Sequence, residues 1–139
     1  MSGYPLTRKN RTIACLCGST RFSEAFRKAN LEETLAGNIV LSIGCDTKSD
    51  ENLGVTKEQK EDLDELHLDK ISMSDEVLVL NVDGYIGEST SRELGWAMIS
   101  GKTVRFLDED KAEKYLDENS AAVAKLGVAG QLIVLGAGN

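Results

Sequence analysis

The chain is poor in the features that mark secreted, membrane-spanning and nucleic-acid-binding proteins. It has 139 residues, with only three cysteines, one proline and one histidine, and 5% aromatics. Cys15 and Cys17 alternate within an apolar stretch and Cys45 stands alone, so a disulfide framework is excluded and reduced core thiols are expected. The C-x-C pair, the distant Cys45 and His67 are zinc-type donors, but two cysteines on one face of a strand lack the usual chelate spacing. Neither a metal nor a redox cofactor is expected. No apolar run approaches the roughly 20 residues that cross a bilayer, and residues 1–12 are polar, without a signal-peptide core. A cytoplasmic protein without a membrane partner is expected. Basic residues are also in deficit, with 16 Lys and Arg against 23 Asp and Glu and a net charge of −7. That balance disfavours any partner bound by neutralising a phosphate backbone, so no nucleic-acid polymer is expected.

What is present is ordinary globular composition, 41% hydrophobic and 28% charged, at a length that fits one domain. Short apolar runs alternate with amphipathic ones, the pattern of strands followed by helices over a parallel sheet. Residues 12–17 form a first strand that ends in Gly18-Ser19-Thr20. Phe22, Ala25, Phe26 and Ala29 recur at helical spacing, and Gly37-Asn38 supplies a stop. A second strand covers 39–43, and a polar connection over 44–56 has the length of a lid or binding loop. The next helix runs over 56–73, with Thr56 and Gln59 at capping-box spacing and Leu63, Leu66, His67, Lys70 and Ile71 on one stripe. Asp64 and Asp69 fall on its edge and outer face and read as solvated. A buried central strand covers 76–82, followed by a helix from about Ser89, a strand over 103–107, a helix over 108–125 and a fifth strand over 131–135. The expected architecture is a single α/β domain over residues 1–139, a Rossmann-like three-layer sandwich with a mostly parallel five-stranded sheet.

In such sheets ligands bind beyond the carboxyl ends of the strands, where backbone N–H groups at helix starts face outward. Two turns have suitable composition. In Gly18-Ser19-Thr20-Arg21 the glycine permits a tight turn, the hydroxyls and amides can hold an anion, and Arg21 can add a charge-assisted hydrogen bond. Equally, this is the composition of a plain helix cap with a surface arginine. In the second turn, Gly84 to Glu93 in sequence, Gly87 permits close approach, while Glu88, Ser89, Thr90 and Ser91 surround a helix start. Glu93 then falls in the first turn of that helix. Its i+4 neighbour Ala97 faces the core, so its carboxylate leans over the sheet end, where it can attack or stabilise the anomeric carbon of a breaking glycosidic bond. Plain complementation of the helix dipole is the competing account of Glu88 and Glu93. His67 lies on the inner stripe, as packed core histidines do. Phe22, Tyr85 and Trp96 are the aromatics nearest the expected mouth and can stack on a base or simply pack.

Taken together, Cys17-Gly18-Ser19-Thr20-Arg21, the segment Ser74-Asp75-Glu76-Val77-Leu78-Val79-Leu80, and Arg92-Glu93-Leu94-Gly95-Trp96-Ala97 followed by Gly101-Lys102 resemble the nucleoside 2-deoxyribosyltransferase-like superfamily, which includes the 2'-deoxynucleoside 5'-monophosphate N-hydrolases. The resemblance covers about residues 12–107. It implies a flavodoxin-like sheet, a homodimer, and a glutamate nucleophile at Glu93 acting on C1' of a nucleoside or nucleotide substrate, with no cofactor. It also implies that Ser19, Arg21 and a residue among Ser89, Thr90 and Ser91 hold a 5'-phosphate. Two positions depart from the pattern, His67 where relatives carry an aspartate and Cys15 where the nucleotide hydrolases carry a tyrosine. A neutral histidine there can orient Glu93 or pass a proton to the leaving base, and a lost carboxylate is equally compatible with a non-catalytic nucleotide sensor. The Gly84-x-x-Gly87 turn with Glu93 also resembles phosphoribohydrolases that release cytokinin bases from ribotides.

Overall fold

The computed structural model describes residues 10–43 and 54–118. The expected fifth strand over 131–135, the end of the last helix and most of the polar connection lie outside these residues. The described chain runs β1 (Ile13–Cys17), α1 (Ser23–Leu35), β2 (Ile39–Leu41), α2 (Lys57–Met73), β3 (Glu76–Val79), α3 (Glu88–Ile99), β4 (Thr103–Phe106) and α4 (Glu109–Glu118). The four strands form one parallel sheet in the order β2-β1-β3-β4. This is a doubly wound, Rossmann-like α/β arrangement.

The core follows from strand alternation. Cys15, Cys17, Val77, Val79, Val104 and Phe106 point to one face and pack against Ile71 of α2, Leu94, Ala97 and Met98 of α3, and Ala112 of α4. Leu16, Leu78 and Leu80 point to the other face and pack against Phe26 and Ala29 of α1. Both faces are thus covered, which is why β1 and β3 read as nearly continuous apolar runs. Among the described residues no helix is long and apolar enough to cross a membrane.

The strands end sooner than their apolar runs. β3 was expected to reach residue 82 but leaves the ladder after Val79. There the Asn81 side chain brackets the start of α4, donating to the Asp108 carbonyl at 2.9 Å and accepting from its N–H at 2.9 Å. β2 similarly ends at Leu41. Helix starts were more legible. Thr56 Oγ1 accepts from the Gln59 N–H at 3.1 Å, and the Gln59 side chain accepts from the Thr56 N–H at 2.9 Å. The expected capping box is therefore complete.

Candidate functional site

Strand order reverses between β1 and β3, and in doubly wound sheets a crevice opens at the carboxyl ends of that strand pair. A cavity of about 250 Å³ lies there, near the lower end of small-molecule pockets. The turn after β1 contributes Gly18, Ser19 and Thr20. The connection after β3 contributes Tyr85 and Gly87, the start of α3 contributes Glu88, Ser89, Thr90 and Glu93, and α2 forms the opposing wall with Asp64, His67 and Lys70 among others. The two sequence-predicted turns and both predicted catalytic residues therefore meet in one cavity.

Gly18 is required for closeness, not for the tight turn that its position suggested. A Cβ there would stand 3.1 Å from Leu80 Cβ and 3.2 Å from the Leu80 carbonyl oxygen, tighter than ordinary packing allows. Glycine lets the ends of β1 and β3 come together beneath the cavity. α3 begins at Glu88 with Gly87 as its N-cap, and no side chain caps it. The cavity-lining start of α3 therefore presents backbone donors of the kind that bind anions. Ser89 and Thr90 line the cavity, whereas Ser91 Oγ turns to the Tyr115 hydroxyl. This separates the three residues that local sequence left equivalent.

Glu93 is the sixth residue of α3 and so occupies its second turn, not the first. Glu93 is largely buried, and its Oε1 lies 3.8 Å from His67 Nε2. Burial pushes the Glu93 carboxyl up to about 7, against the attraction of His67, and the nearby Asp64 and Cys15 charges push the same way. His67 itself is drawn down by burial but ends above its usual value, held up by the hydrogen bond with Cys15 and the charge of Glu93. Titratable groups perturbed together in a cleft are the expected mark of a reactive site.

Beneath His67 lie both strand cysteines. Its Nε2 is 3.4 Å from Cys17 Sγ and 3.9 Å from Cys15 Sγ, and the three donor atoms lie within 4.8 Å of one another. The hydrogen bond with Cys17 and the contacts with His67 bring the Cys15 thiol down to about 6 despite burial. The Cys17 thiol moves the opposite way, raised by its bond with Cys15 and by burial. The spacing argument missed this cluster because α2, not the local sequence, supplies the third donor.

Other expectations are redrawn. Arg21 does not line the cavity. Its guanidinium stacks 4.4 Å from the Tyr85 ring centroid and donates to the Tyr85 hydroxyl at 3.3 Å, while Tyr85 packs edge-on against Phe22. Of these three residues only Tyr85 lines the cavity. Trp96 lies away from the mouth, its indole N–H donating to Ser72 Oγ at 2.9 Å and tying α3 to α2. Asp64, read as solvated, lines the cavity with Leu63 and Leu66. No protein-family model and no curated protein sequence significantly matches the chain.

Proposed function

We propose that the chain breaks the N-glycosidic bond of a nucleoside or nucleoside 5'-monophosphate, with Glu93 as the nucleophile. The Glu93 carboxylate attacks C1' as the C1'–N bond breaks, the base leaves with a proton passed by His67, and a covalent glycosyl-Glu93 forms. Water then takes the sugar in hydrolysis, or a second base takes it in transfer. No metal or redox group is needed for these steps.

The observation that carries the reading is the position of Glu93. It is a largely buried carboxylate beside His67, lining a cavity at the β1/β3 switch point and one helical turn from an uncapped helix start. Ser89 and Glu93 are four residues apart on α3, about 6 Å along the axis. That is the order of separation between the phosphorus and C1' of one nucleotide, so a phosphate at the helix start would bring C1' near the carboxylate. Asp64 supplies a second carboxylate to the cavity, which supports a role in orienting the sugar. The same reading includes the flavodoxin-like form with a five-stranded sheet. It also includes a homodimer, supported by exposed Met73 on α2 and exposed Trp96 and Ile99 on α3.

The test is a panel of ribo- and deoxyribonucleosides and their 5'-monophosphates, scored by chromatography for free base. Base release that Glu93→Gln abolishes is expected. A preference for ribotides would place the activity with phosphoribohydrolases. Thermal stabilisation by a nucleotide with no base released would overturn the catalytic reading in favour of a sensor.

A further inference from the structure

We infer that Cys15, Cys17 and His67 form a binding site for a thiophilic metal ion, zinc above all, with Glu93 as the fourth ligand. β1 alternation places both sulfurs on one face, and α2 brings the imidazole onto them. Sulfur-to-Nε2 separations are 3.4 and 3.9 Å, and Glu93 Oε1 is 3.8 Å from the same nitrogen. With Zn–S near 2.3 Å and Zn–N near 2.0 Å, a tetrahedral site has S···N edges of about 3.5 Å and an S···S edge of about 3.8 Å. The two observed sulfur-to-nitrogen separations lie around the S···N edge, and all three donor atoms lie within 4.8 Å of one another, so side-chain adjustment suffices to admit a cation.

The donor chemistry is selective. Two thiolates, an imidazole and a carboxylate suit zinc or cobalt and disfavour magnesium and calcium. Coordination releases the two thiol protons, and any proton on Glu93, to solvent, and no group changes oxidation state. The resulting charge of −1 is offset by Lys70, which lines the cavity and acts on both Cys15 and His67. An ion enters through the cavity, since His67 and Glu93 line it. His67 Nδ1 is buried and has no hydrogen-bond partner among the described residues. Binding withdraws Glu93, so zinc inhibits base release; only this consequence rests on the proposed function.

The test is titration of reduced, metal-free protein with Co²⁺, followed by absorption and then displacement with Zn²⁺. One cobalt per chain is expected, with thiolate-to-metal charge transfer in the near ultraviolet and strong tetrahedral bands in the visible, all bleached by one equivalent of zinc. Cys17→Ser weakens binding by about 100-fold or more, while Glu93→Gln keeps the charge transfer and shifts the visible bands. X-ray absorption of the zinc-loaded wild type needs no variant to fold, and two sulfur neighbours near 2.3 Å are expected. A weak octahedral cobalt spectrum without charge transfer, or a zinc shell without sulfur, would overturn the site. No substrate enters these measurements, so they stand or fall separately from glycosidic cleavage.

Discussion

Removing the cation from a buried ion-pair cluster exposes how the sheet is held against α1. Arg105 of β4 pairs with Glu33 of α1 and, at 2.7 Å, with Glu76 of β3, and Asn38 Nδ2 donates to Glu33 at 3.1 Å. All three charged side chains are mostly buried, and the Arg105 contacts hold the Glu33 carboxyl below its ordinary value despite burial. Arg105→Met keeps the apolar stem but leaves two carboxylates without their cation, a loss of about 3–5 kcal/mol. At about 3–5 °C per kcal/mol for a domain of this length, the melting temperature falls by about 10–25 °C at pH 7.

The sign of the pH dependence makes the test sharper. In the wild type the depressed Glu33 contributes stability above the unfolded carboxylate value of about 4.3, and this is lost as pH falls through the folded value. In Arg105→Met the buried carboxyl is raised instead, so its penalty is present at neutral pH and fades as the group takes a proton. The gap between the two proteins therefore narrows between pH 7 and about pH 4.5. Calorimetry or urea unfolding across that range measures it. A loss below about 1 kcal/mol at pH 7, or a gap that widens on acidification, refutes the reasoning. Replacing Glu33 by Leu and Glu76 by Gln in the same variant recovers most of the loss, since no unpaired charge remains.

Two further substitutions probe the walls of the cavity. Thr56→Ala removes half of the α2 capping box and costs about 1 kcal/mol, read as a fall of about 3–5 °C in melting temperature, with Ser at the same position close to wild type. Gly18→Ala forces apart β1 and Leu80, costs about 1–3 kcal/mol and weakens nucleotide-dependent thermal stabilisation, read by thermal shift with and without nucleotide.

Features written in neighbouring residues were legible, and those made by chain crossings were not. The Thr56 and Gln59 spacing specified both of its hydrogen bonds, and the alternation of Cys15 and Cys17 specified their shared face. Glu93 was readable as inward-leaning because Ala97, one turn on, is fully buried. Asp64 was misread because a helical wheel assumes a helix lying flat on the sheet. From Lys60 to Lys70, α2 instead borders the cavity, so Leu63 and Leu66 remain 38% and 48% exposed while Ile71 is fully buried. His67 meets the two cysteines only because the chain passes from β2 through α2 to β3 on the far side of β1, a non-local fact. Arg21 was misplaced for a similar reason, since its stacking partner Tyr85 comes from the other turn.

The central claim is that residue 93 bonds covalently to the sugar. Its most direct test is rapid acid quenching of the protein with a substrate that it turns over, followed by protease digestion and mass spectrometry. The account predicts a glycosyl adduct on Glu93 that disappears when the reaction runs to completion and is absent from Glu93→Gln. Turnover with an adduct on any other residue would contradict it.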